Sequence, residues 1–132
     1  LARHQFECEA WGTAKVVSQI GSRHMEVIER WGEMLRSNRY VRRSWLGEDM
    51  LSRGTWSEPI IVLAPEPGAC YPDGQPLPQP YCLLEGHHRL GYLRSMATDE
   101  LPLQPEHQVW ICRPVRDTQT FLPANPASEI NF

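Results

Sequence analysis

The sequence predicts a small α+β domain, a mixed sheet with packed helices, and three observations predict it. All 12 prolines lie from Pro59 onward, so residues 1–58 are free to be mainly helical and the rest are not. Strand-length apolar runs then occur at 59–63, 81–84 and 108–113. Between the last two, a segment of helical period begins at His87.

Taken in order, residues 14–20, "AKVVSQI", carry β-branched side chains and are expected as a short strand. Met25, Ile28, Trp31 and Leu35 then recur at helical spacing behind Ser22, a candidate N-cap, and Asn38 is a natural stop. "RSWLGEDMLSRG" predicts a shorter helix ended by Gly54. Arg36, Arg39, Arg42 and Arg43 cluster between the two, as a solvated face or an anion-facing surface. Strand 59–63 follows. Residues 64–80 hold six prolines in seventeen positions, an extended loop with a Pro-Asp-Gly turn at 72–74. The strand "YCLLEG" runs into the helix "HHRLGYLRSMA", whose Leu90, Leu93 and Ala97 are expected to pack on the sheet. "QVWICR" is the last strand. A right-handed crossover is expected wherever the helix joins parallel strands.

One domain spans 1–132: a helical part at 1–56, a core at 57–113 and an irregular tail at 114–132. The chain is long enough to bury its own core, and 41% hydrophobic with 22% charged residues is ordinary for a soluble globular protein. A net charge of -3 disfavours a protein built to coat nucleic acid. Twelve of the 13 basic residues are arginine, which fits anion recognition or simply a GC-rich genome. Cys8, Cys70, Cys82 and Cys112 form no C-x-x-C pair and no zinc spacing, so they are read as reduced thiols in a cytoplasmic protein, with no metal site. No run reaches the ~18 apolar residues of a membrane span, and the start is no signal peptide. Beginning at Leu1 suggests a trimmed chain or a domain cut from a longer one.

The chemistry concentrates at residues 85–89, Glu-Gly-His-His-Arg, where a strand turns into a helix. The first N–H groups of a helix have no intrahelical partner and lie at the positive end of its dipole, which makes such a turn an anion site. Gly86 permits close approach, Arg89 offers a charged fork, and His87 and His88 are auxiliary donors. Glu85 is placed to hold a metal, accept a hydroxyl proton or orient a histidine. Against this stand a surface His-His pair and an Arg89–Glu85 ion pair with no ligand.

The pattern "PIIVL…YCLLEGHHRLGYLRSM…VWICR", roughly residues 57–113, resembles the ParB/sulfiredoxin superfamily, in which a strand ends in Asp/Glu-Gly-His-x-Arg at the head of a helix. Sulfiredoxins carry a cysteine where this chain has His87, which argues against their ATP-dependent sulfinic acid reduction. ParB proteins bind CTP and carry a helix-turn-helix domain that does not follow the motif here. Free serine kinases of this fold have Asp-Gly-His-His-Arg, the nearest motif, with Glu85 replacing the Asp. The resemblance implies a nucleotide- and phosphate-binding domain, possessing a phosphotransferase or nucleotide hydrolase activity in its enzymatic form. Gly86, His87, His88 and Arg89 would hold the phosphates of ATP, ADP or CTP, with or without Mg²⁺. Glu85 and His87 would be the catalytic residues, and loop 64–80 would border the nucleotide. The alternative is a non-catalytic protein of the same fold that binds a protein partner: an immunity protein, an antitoxin or a phage accessory factor. Nuclease activity ranks lowest, because no carboxylate cluster for two metals is apparent.

Overall fold

A computed structural model describes residues 3–115. Five strands form one mixed sheet: β1 (Arg3–Gly12), β2 (Ile20–Gly21), β3 (Ile60–Leu63), β4 (Tyr81–Glu85) and β5 (Glu106–Val115). The spatial order is β1-β5-β3-β4-β2. β1 runs antiparallel to β5 over ten unbroken pairs, from Arg3 opposite Val115 to Gly12 opposite Glu106. β5 is parallel to β3, β3 antiparallel to β4, and β4 parallel to the two-residue β2.

The helices are α1 (Thr13–Gln19), α2 (Met25–Ser37), α3 (Arg39–Arg42), α4 (Trp45–Arg53) and α5 (His87–Thr98). Ile60, Val62, Leu83, Val109 and Ile111 of the sheet share one buried cluster with Val16, Ile28, Leu35, Met50, Leu90, Leu93 and Met96 of the helices. Alternate residues of β3 and β5 therefore point to the helices, as period-two geometry requires. The opposite face keeps Phe6, Leu84 and Trp110 exposed. Cys82 and Cys112 are buried there, and Tyr71 of the proline-rich loop reaches the Cys82 sulfur with its hydroxyl at 3.5 Å.

Strands 59–63, 81–84 and 108–113 and the helix from His87 are found where the sequence predicts them. So are the stop at Asn38, whose side chain accepts from the Tyr40 and Val41 N–H groups, and the left-handed C-cap at Gly54. The turn at 72–74 closes through the Gly74 N–H on the Tyr71 carbonyl, 2.9 Å.

Several expectations are corrected. Residues 14–19 are not a strand: α1 occupies Thr13–Gln19 with Val16 fully buried, and of the expected strand only Ile20 is extended, in β2. The helical part at 1–56 is interrupted at its start by β1, held by ten pairs with β5 and, at its end, by the buried Trp11. Ser22 does not cap α2. Its hydroxyl accepts from the His24 N–H, and the helix starts at Met25. Ala97 is only half-buried; Met96, 1% exposed, takes its place in the core. α5 joins β4 and β5, which run in opposite directions with β3 between them, so the crossover rule does not apply to it. Pro114 and Val115 belong to β5 rather than to an irregular tail, and the rest of that tail lies outside the described residues. Among the described residues, no helix is long and apolar enough to cross a membrane.

Candidate functional site

The turn from β4 into α5 is built around Gly86. Its φ of +110° lies where side chains are rarely tolerated, and a Cβ there would stand 2.5 Å from the Ile60 Cγ2. A glycine is thus demanded by the fold itself, before any ligand. The Leu90 N–H bonds the Gly86 carbonyl at 2.8 Å, so the N–H groups of His87, His88 and Arg89 open the helix without intrahelical acceptors.

These residues border a cavity of about 490 Å³ lined by Val27, Trp31, Leu46, Glu85, Gly86, His87, His88 and Arg89. All five residues singled out in the sequence are therefore brought together on one wall. The facing wall is apolar and comes from α2 and α4. A larger depression of about 640 Å³ lies over α4, beside Trp45, Glu48 and Asp49. It is lined by the acidic Glu48 and Asp49 at the first turns of α4 and by none of residues 85–89, so its size carries less weight than the chemistry of the smaller cavity.

The histidines have defined neighbours. The His88 ring lies 4.0 Å from Trp31, centroid to centroid, and 6.3 Å from Tyr92 in an edge-on contact. The His87 ring is 6.1 Å from that of His24. Burial, and then the neighbouring His24, holds the His87 pKa below its ordinary value. Burial does the same for His88, with His87 and Arg89 adding to it. Both rings are therefore neutral near pH 7, each with one donor and one acceptor nitrogen.

Arg89 is engaged differently from a free clamp. Its Nη1 donates to the carbonyls of Glu58 at 2.9 Å and Pro59 at 3.1 Å, and lies 3.9 Å from the Glu58 carboxylate. Its side chain is 15% exposed. The acidic neighbour is Glu58, not Glu85, and the Arg89 Nη1 alone ties α5 to the segment entering β3. Glu85 is exposed at the end of β4 and lines the cavity.

Loop 64–80 contributes none of the lining residues. It docks instead on the segment before α2, where Arg23 bonds Asp73 at 2.6 Å and stacks 3.9 Å above the Tyr71 ring.

Trp31, Val27, Leu46 and His24 are the participants that sequence reasoning missed. Trp31 has the helical spacing of a core residue, and only the crossing of α2 over α5 turns it onto His88. Among the described residues, no group of three or more His, Cys, Asp or Glu side chains is arranged to hold a metal ion. Comparison with models of known protein families, with curated proteins and with solved structures finds no match.

Proposed function

We propose that the cavity at the head of α5 binds a nucleotide through its phosphates: ATP, ADP or CTP, with or without Mg²⁺. The observation that carries this reading is the two-sided wall. One side is Gly86 with His87, His88 and Arg89, the first turn of a 12-residue helix, and the other residues lining the cavity are Val27, Trp31 and Leu46 with Glu85. A ligand with an anionic end and a flat apolar end matches both, and about 490 Å³ lies within the ~300–1,000 Å³ usual for small-molecule sites. The ParB/sulfiredoxin resemblance of residues 85–89 supports the same reading.

In this reading the backbone N–H groups of His87, His88 and Arg89 cradle phosphate, with the imidazoles as neutral donors. Arg89 supplies positive charge while holding the turn in place. Glu85 and His87 are the groups available for phosphoryl transfer or nucleotide hydrolysis, Glu85 taking a metal ion or an acceptor proton. The four free cysteines suit a reducing, cytoplasmic setting.

Thermal unfolding with ATP, ADP, CTP, GTP and inorganic phosphate, each with and without Mg²⁺, tests the reading. A nucleotide at about 100 times its Kd stabilises the protein by about 2.7 kcal/mol. Glu85→Gln is expected to retain this shift and to lose turnover. Melting that no nucleotide and no phosphate moves would sink the proposal.

A second reading, a non-catalytic protein that binds a protein partner, has its own observation. Tyr40 and Trp45 are 75% and 72% exposed, among Arg39, Arg42 and Arg43, which are exposed too. Tyrosine, tryptophan and arginine are the side chains that dominate binding energy at protein interfaces.

A further inference from the structure

A separate cavity of about 370 Å³ lies where α2 crosses α5, and it shares no lining residue with the cavity at the head of α5. Helix α2 lines it through positions 29, 32, 33 and 36, and α5 through 91, 94, 95 and 98. Each set has the spacing of one helical face. Gly32 and Gly91 add only backbone to the lining. They let the helices meet so closely that a Cβ on Gly32 would stand 2.6 Å from the Gly91 carbonyl oxygen and 3.2 Å from the Ser95 Cβ.

Three polar groups at this crossing lack the partners that similar groups have elsewhere in the molecule. Among the described residues, Arg89, Arg94 and Arg113 are the arginines that are half-buried. Arg89 has the Glu58 carboxylate 3.9 Å away, and Arg113 has Glu7 at 3.3 Å and Glu9 at 3.6 Å. Arg94 has no carboxylate partner among the described residues; its Nη1 donates to the Val17 carbonyl, which holds the guanidinium in place. A guanidinium drawn partly out of water calls for a counter-charge. Glu33 and Arg36 satisfy each other at 2.6 Å, with Asp99 2.9 Å from the same arginine. Glu29 is left over, with no cation paired to it among the described residues. Ser95 is 7% exposed, and its hydroxyl has no hydrogen-bond partner among the described residues. Ser18, Ser37 and Thr98, also on helices, each donate to the carbonyl four residues back.

We infer that this cavity binds a small zwitterion, a free α-amino acid, with its carboxylate on Arg94 and its ammonium group on Glu29. The Ser95 hydroxyl donates to the same carboxylate. Both charges are needed on one ligand: a simple carboxylate meets repulsion from Glu29, and a simple amine meets it from Arg94. The volume lies near the lower end of the ~300–1,000 Å³ usual for small-molecule sites, which suits a ligand smaller than a nucleotide. Charge-assisted hydrogen bonds to an arginine and a carboxylate fix such a ligand in one orientation.

Titration of the full chain with the standard α-amino acids, followed by backbone amide NMR, tests the inference. Propionate and ethylamine serve as controls that carry one charge each. At least one amino acid is expected to shift the Gly32, Gly91 and Ser95 amides saturably, and each control to bind roughly tenfold more weakly or worse. Glu29→Gln, at an exposed position with no partner to lose, is expected to weaken binding of that amino acid about tenfold without weakening propionate. Arg94→Gln should remove binding of both. Should Arg94→Gln fail to fold, the Glu29→Gln contrast decides alone. Amides that no amino acid shifts saturably overturn the inference. So does a Glu29→Gln protein that binds the amino acid as tightly as the unaltered chain, or a control that binds as tightly as the amino acid.

Discussion

Arg89 combines two duties whose separation is measurable. Its Nη1 donates to the carbonyls of Glu58 and Pro59, the second of them partly buried, and both lose a charged donor without it. Arg89→Ala is expected to lower unfolding stability by about 1–3 kcal/mol, the cost of leaving such groups unsatisfied. It should also weaken nucleotide binding. Arg89→Lys keeps the charge and loses the planar guanidinium that places Nη1 on both carbonyls, so denaturant titration and nucleotide titration of this variant divide the two effects. Binding retained with stability lowered assigns charge to the ligand and geometry to the fold. The sequence made the residue visible but not its partner, because Glu58 lies 31 positions away and the contact uses backbone oxygen.

At the scale of elements, the site depends on how closely α2 crosses α5. A Cβ on Gly32 would stand 2.6 Å from the Gly91 carbonyl oxygen, and one on Gly91 would collide with the Ile28 carbonyl. This near backbone contact is what carries Trp31 over His88. Gly91→Ala is a favourable change for an isolated helix, worth about 1 kcal/mol. Here it forces the helices apart, and overpacking costs about 1–3 kcal/mol. The expected net result is a lower midpoint in urea together with a loosened Trp31–His88 contact, read as a shift in tryptophan emission. A midpoint raised by the alanine would contradict the packing argument.

For the whole molecule, three histidines respond to acid in the same sense. His107 is 1% exposed, with Thr13 Oγ1 2.7 Å from its Nε2 and Thr55 Oγ1 2.7 Å from its Nδ1. Burial lowers its pKa, as it does for His87 and His88. A histidine whose folded pKa is depressed stabilises the protein above its unfolded pKa of ~6.5 and loses that contribution as pH falls through the folded value. Stability is therefore expected to decline from about pH 6.5 downward, before most carboxylates titrate. His107→Gln removes the buried titration while keeping a donor and an acceptor, and should flatten the decline measured by urea unfolding at a series of pH values. An unchanged slope would remove His107 from the account.

The sequence by itself determined the α+β class, strands β3, β4 and β5, helices α2, α4 and α5, and the gathering of residues 85–89 at one strand-to-helix turn. These are local matters: hydrophobic period, capping side chains and glycine leave their mark within a few positions. Only the tertiary structure decided the rest. Residues 14–19 became helix, burying Val16 against their β-branched preference, and only Ile20 kept the strand conformation, in β2. β1 became a strand because β5, about a hundred positions away, gave it hydrogen-bond partners. The apolar wall of the cavity likewise came from α2 and α4, whose side chains carry no motif and meet α5 only through packing. Short-range preference is written in neighbouring residues, whereas pairing and packing across the chain depend on which surfaces the whole fold brings together.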